Sequence, residues 1–111
     1  MDVRFHYLAR PEFAEMPEAE QDAMREAVRK LARYGDHLPA PHSSAVRDAD
    51  RLRELRPRGG NSPWRALYRR IGERMWVGAF GPEATKDRPG FRRACRLAEQ
   101  RLERIEKGLD H

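Results

Sequence analysis

The chemistry this chain offers is carried mainly by arginine. Of its 23 basic residues, 20 are Arg and three are Lys. A guanidinium keeps its charge across the physiological range, and its planar fork matches the oxygens of a phosphate. Residues 51–74 hold eight arginines (51, 53, 56, 58, 65, 69, 70, 74) against Glu54 and Glu73, a net of +6. Segment 18–34 is neutral, segment 86–111 is +3, and segments 1–17, 35–50 and 75–85 together carry −4. A surplus gathered in the middle and at the C-terminal end points to a polyanionic partner.

Other reactive side chains are sparse. His42 lies in a stretch rich in Pro and Ser, and an imidazole there suits a general base near neutral pH. His6, His37 and His111 are scattered. There is no HExxH, no paired cysteine and no carboxylate cluster, so no metal site and no cofactor are expected. Gly59-Gly60 precedes a strand pattern rather than a helix, which argues against a phosphate-binding loop. Cys95, the one cysteine, falls on an apolar stripe and reads as a packing residue. Trp64 and Tyr68 read as core, although either ring also suits stacking on a base.

These residues need elements to hold them. At 111 residues the chain is expected to form a single domain, 1–111. With 39% apolar and 37% charged residues, its core must be lean. Long helices with one apolar stripe suit that composition better than a sheet buried on both faces. No apolar run approaches the roughly 20 residues of a membrane span. Met1-Asp2-Val3-Arg4 lacks the basic start and apolar core of a signal peptide. The expectation is a cytoplasmic protein without membrane association.

Alternation predicts a strand over 3–8, ended by Pro11, and residues 12–16 suit a short helical turn. Residues 17–34 predict an amphipathic helix. Pro17, Glu18, Glu20 and Asp22 favour its first turns, Met24, Ala27, Val28, Leu31 and Tyr34 form its stripe, and Gly35 ends it. Residues 36–50 read as an irregular connection, long enough to suggest a functional loop. Strands are predicted at 51–57, 64–71 and 74–81, with a loop at Gly59–Pro63 and a tight turn at Gly72-Glu73. Asp87 and Pro89 open a last helix over 89–108, with Phe91, Cys95 or Ala94, Ala98, Leu102 and Ile105 facing inward. The order β-α-α-β-β-β-α gives an α+β fold, a small and mainly antiparallel sheet packed against helices.

On strand 64–71, Trp64, Ala66 and Tyr68 share the face that helices are expected to cover. Arg65, Leu67 and Arg69 share the other face, expected to be open. Antiparallel pairing with strand 51–57 then gathers Arg56, Arg58 and Arg65 on one concave surface. Like charges on adjacent strands repel, and an anion would relieve them.

Several short motifs stand in order: Pro41-His42-Ser43-Ser44, Leu52-Arg53-Glu54-Leu55-Arg56, Trp64-Arg65-Ala66-Leu67-Tyr68-Arg69 and Val77-Gly78-Ala79-Phe80, then an Ala- and Arg-rich helix from Ala94 to Arg104. This set resembles the phage-derived, HigB-like branch of the RelE/ParE toxin superfamily over about residues 37–104. The resemblance implies the toxin of a type II toxin–antitoxin system. Such a toxin is a ribosome-dependent mRNA endonuclease that works without metal and inhibits translation. In it the ribose 2′-hydroxyl attacks the adjacent phosphate, and cationic side chains stabilise the phosphorane. It implies as partners a cognate antitoxin, a helix-turn-helix protein, together with the ribosome and mRNA.

By position, Arg56 and Arg65 match the family's basic catalytic residues. With His42 they form the expected catalytic set, and Arg53, Arg58, Arg69, Lys86 and Arg88 are expected to hold RNA around it. Arginine cannot act as a base at neutral pH. The proton acceptor is left to His42, Glu54 or the ribosome. Where the family carries a lysine pair after its last strand, this chain has Gly81-Pro82-Glu83-Ala84. That departure favours one alternative, a catalytically inactive RNA-binding or regulatory module of the same fold. A second alternative, a poison of DNA gyrase, has Arg56 and Arg65 against it, because the gyrase branch usually lacks that basic set.

Overall fold

The computed structural model describes residues 1–111. Its elements are β1 (Asp2–Phe5), α1 (Ala9–Ala14), α2 (Glu18–Tyr34), β2 (Ser43–Ala45), β3 (Arg53–Leu55), β4 (Trp64–Ile71), β5 (Arg74–Pro82) and α3 (Arg88–Glu106). Short 3₁₀ turns lie at Gly35–His37 and Pro57–Gly60. The five strands form one sheet in the order β1-β5-β4-β3-β2. Only β1–β5 is parallel, and the other pairs are antiparallel.

Several boundaries differ from the sequence expectation. The strand expected over 3–8 stops at Phe5, and the helical turn expected over 12–16 starts earlier, as α1 runs from Ala9 to Ala14 through Pro11. The connection 36–50 is not wholly irregular, because Ser43–Ala45 pairs with Arg53–Leu55 as β2. The strand expected over 51–57 is cut to three residues. Arg51 takes a left-handed φ of 58°, and Pro57 has no N–H to offer a ladder.

Helix ends follow local chemistry. Gly35 at φ 54° ends α2, its N–H on the Leu31 carbonyl. The Asp87 carboxylate caps α3 by accepting the Gly90 N–H at 2.9 Å, with Pro89 in the first turn.

The sheet is buried on both faces, contrary to the expectation of one open face. On one side α1 and α2 cover Leu55, Ala66, Tyr68, Met75, Val77 and Phe80. On the other, α3 covers Leu67, Trp76 and Ala79 with Ala94, Cys95, Ala98 and Leu102. A lean composition closes both cores because α3 meets β5 through small residues, Gly78, Ala79 and Gly81 against Ala94 and Ala98. A Cβ on Gly78 would stand 2.9 Å from the Ala98 backbone, and one on Gly81 would stand 2.5 Å from the Ala94 Cβ. The helix thus rests almost directly on β5.

Gly78 also marks a bulge. Leu67 pairs with Ala79 and Tyr68 with Val77, so Gly78 is the extra residue. Beyond Phe5 this edge of β5 has no strand partner. Side chains satisfy it instead. Arg101 of α3 donates to the Gly78 carbonyl at 3.0 Å, and Glu12 of α1 accepts the Phe80 N–H at 3.1 Å. Arg101 and Glu12 also pair at 2.9 Å.

Past α3 the chain returns to β1. His6 is fully buried, its Nδ1 accepting the Leu8 N–H at 3.1 Å. Nε2 therefore carries the proton and donates it to Asp110 at 2.8 Å. No helix is long and apolar enough to cross a membrane.

Candidate functional site

Glu54 is the centre of the site. It lies on β3 opposite Leu67 of β4, on the α3 side of the sheet. Its Oε1 accepts from Arg56 Nε at 2.8 Å and from Arg65 Nε at 3.2 Å. Oε2 takes no hydrogen bond from the chain.

Arg65 does not project from an open face. It is 4% exposed, enclosed by the loop before β4 and by Glu54 and Glu83. Its Nη1 donates to the carbonyls of Ser62 (2.7 Å) and Trp64 (2.9 Å), and its Nη2 to that of Gly60 (3.3 Å). Glu83 stands 3.8 Å from Nη2. Every guanidinium nitrogen is engaged, so Arg65 braces the 60–64 loop against Glu54.

Glu83, where the resembled family has a lysine, thus joins the Arg65 cluster. Its carboxyl is held below the usual range, first by the Thr85 hydroxyl against the opposing effect of burial, with help from the Arg65 charge.

The remaining expected residues divide between the two faces. Arg69 is also buried rather than open. It donates to Glu106 at 2.7 Å and to the Asp50 carbonyl at 3.1 Å, and its Nε has no partner. Arg53 points to the α2 side, where its Nε donates to Ser43 Oγ at 3.0 Å beside the Tyr68 hydroxyl. Arg58, at a left-handed φ of 54°, is tied across to α2 by two 2.8 Å bonds to Glu20. The Glu20 carboxyl is lowered accordingly, first by Arg58 and then by Ser62.

His42 lines a groove of about 490 Å³ beneath α2, with Ala23, Ala27, Lys30, Leu55 and Arg58. It is on the opposite face from Glu54.

A second groove of about 740 Å³ runs between residues 44–49 and the first half of α3. Glu54 and Arg56 stand at one wall, Arg88 and Arg92 at the other. Arg56 lines both grooves. Lys86 is exposed in a smaller recess of about 320 Å³ with Asn61, Ser62 and Glu83. Cys95 touches the second groove, but burial pushes its thiol up to about 11, which makes it a poor nucleophile.

The fold therefore brings together Arg56, Arg88 and Glu54, with Arg65 behind them. On the α2 side it brings His42 and Arg58 together with the same Arg56, and it leaves Arg53 apart beside Ser43. The sequence reading missed Arg92 and Arg96 of the same groove. The recurrence of arginine every fourth residue from Arg88 was the available signal.

The phage-derived, Gp49-like family model, described as "Phage derived protein Gp49-like (DUF891)", matches residues 11–77. The chain belongs to this Gp49-like family. A search of curated proteins gave no match. Among solved structures, the Gp49-like chain is similar to E. coli toxin RelE, a double arginine-to-alanine mutant in the free state. That likeness has a TM-score of 0.61 at 13% identity and covers 94% of this chain and 96% of the other. The Gp49-like chain thus has the RelE fold, a mixed five-stranded sheet packed against helices.

Proposed function

We propose that this Gp49-like protein is the toxin of a type II toxin–antitoxin pair and cleaves mRNA on the ribosome without a metal ion. The observation that carries this reading is a groove lined by Glu54, Arg56 and Arg88, in which Oε1 of Glu54 is bonded to Arg56 and Arg65 and Oε2 takes no hydrogen bond from the chain. A carboxylate and guanidinium groups at one place supply what transesterification of RNA needs.

Glu54 takes the proton of a ribose 2′-hydroxyl, and the 2′-oxygen attacks the adjacent phosphorus. Negative charge builds on the phosphorane, where Arg56, one-third exposed, and Arg88 can meet it. The bond to the 5′-oxygen breaks, and that oxygen leaves with a proton from water or a ribosomal group. A 2′,3′-cyclic phosphate and a 5′-hydroxyl remain. Arg65 acts as a positioning residue: it holds Glu54 from behind and leaves Arg56 in front.

Of the base candidates, Glu54 fits better than His42, because His42 lines the other groove. The partners that go with this reading are the ribosome, mRNA and an antitoxin, expected to be a helix-turn-helix protein. The test is induced expression in a bacterial host with and without the adjacent reading frame. Growth arrest relieved by that small neighbour supports the toxin reading. Normal growth at high expression of folded protein rejects it.

A further inference from the structure

Folding rearranges the charge that the sequence displays. Of the eight arginines in 51–74, seven enter ion pairs: Arg51 and Arg69 with Glu106, Arg56 and Arg65 with Glu54, Arg58 with Glu20, Arg70 with Asp36 and Arg74 with Asp2. The eighth, Arg53, is bonded to Ser43. The apparent cationic centre is largely matched by carboxylates of the same chain, two of its arginines in the interior and the others at the surface.

Elsewhere the charge stays free. Arg47, Arg88, Arg92 and Arg96 are all exposed, and none has an ion pair or a side-chain hydrogen bond. All four line the 740 Å³ groove that leads to Arg56 and Glu54. Its carboxylates are Asp48, Glu99 and Glu54, the last already engaged by two arginines.

The three helical arginines recur every fourth residue on α3. At 1.5 Å per residue they stand about 6 Å apart and span about 12 Å. That step is close to the separation of neighbouring phosphates along one nucleic-acid strand. Arg47 lines the trough from the 44–49 segment opposite, and Phe91 of α3 adds a half-buried ring to the lining. A duplex meets such a trough only with its convex backbone. A single strand can enter it and present phosphates to both walls.

We infer that this trough is a binding track for single-stranded RNA. Consecutive phosphates lie along Arg88, Arg92 and Arg96, Arg47 closes on them, and the strand runs to Arg56 and Glu54. The destination of the strand rests on the RNA-cleaving reading, whereas the track itself stands on the unpaired charges.

The test is fluorescence anisotropy of a short single-stranded RNA, 2′-O-methylated so that it cannot be cut, over a salt titration. Each phosphate contact contributes about 0.7 to the slope of log affinity against log salt for a single strand. Arg92→Ala with Arg96→Ala should weaken binding at least tenfold and lower that slope by about 1.4. Arg29→Ala with Lys107→Ala removes the same charge far from the trough and should change the slope little. Melting curves check that both variants stay folded.

Equal binding by wild type and the Arg92/Arg96 variant overturns the track, as does an equal loss in the control. Loss of affinity for intact ribosomes without loss for the oligonucleotide also overturns it and makes this face a ribosomal RNA contact. If the binding pattern is as expected but no variant, wild type included, arrests growth, the track stands and the toxin reading falls.

Discussion

Arg65 donates its Nε–H to Glu54 across 3.2 Å with almost no exposure to solvent, so the pair is part of the interior as well as of the site. Arg65→Ala should therefore unfold more easily, not merely lose activity. It strands Glu54 and the carbonyls of Gly60, Ser62 and Trp64 without their donor. Removing one partner of a buried pair costs about 3–5 kcal/mol. Urea unfolding should show a midpoint far below wild type, with Arg65→Lys between them because a point charge replaces the fork. An unchanged midpoint would mean that the cage around Arg65 contributes nothing to stability.

Glu54 and His42 lie on opposite faces, which separates their roles. Glu54→Gln keeps an oxygen to accept from Arg56 and Arg65 but cannot take a proton. Its cleavage rate should fall about 100-fold or more, the usual contribution of a positioned base. His42→Ala should cleave within a few-fold of wild type. Single-turnover rates on programmed ribosomes compare the two, and the reverse ranking would transfer the base to the α2 groove.

The approach of α3 to β5 depends on Gly78. Gly78→Ala places a methyl 2.9 Å from the Ala98 Cα and carbonyl oxygen, where backbone must move. Overpacking of this kind costs about 1–3 kcal/mol, and a differential-scanning melt should shift down by several degrees. A melt equal to wild type would mean that α3 stands further from the sheet.

Acid should destabilise the protein through the carboxylates held by arginine. Asp110 is lowered first by Arg104 and then by His6, and Glu20 first by Arg58. A carboxyl whose folded pKa is depressed adds stability above its ordinary value, 3.8 for Asp and 4.5 for Glu, and that stability is lost as pH falls through the folded value. Melting temperature should drop steeply below about pH 4. Asp110→Asn should lie below wild type at neutral pH and converge toward it in acid. Parallel curves would exclude this linkage.

The long periodic segments are legible in the amino-acid sequence. Met24, Ala27 and Leu31 of α2 and Ala98 and Leu102 of α3 are buried as their spacing demands, and β4 spans the expected 64–71. The open face is not. Alternation puts Arg65 and Arg69 opposite Tyr68, but it cannot say that a second helix covers that face. The signal for that helix is in Gly78, Ala79 and Gly81, whose smallness only makes sense under a close-packed element. Net charge along the chain misleads for a related reason. Glu20, Asp36 and Glu106, distant in sequence, neutralise arginines of 51–74, whereas the i, i+4 repeat of Arg88, Arg92 and Arg96 leaves those three free.

The most direct test is primer extension on mRNA after brief induction, with wild type and Glu54→Gln expressed to equal levels and translation active or blocked at initiation. Discrete new 5′ ends within translated reading frames, absent from Glu54→Gln and from messages that carry no ribosomes, are the predicted result. Intact messages in cells that nevertheless stop growing, or the same cuts from Glu54→Gln, would contradict an RNA-cleaving site centred on Glu54 and Arg56.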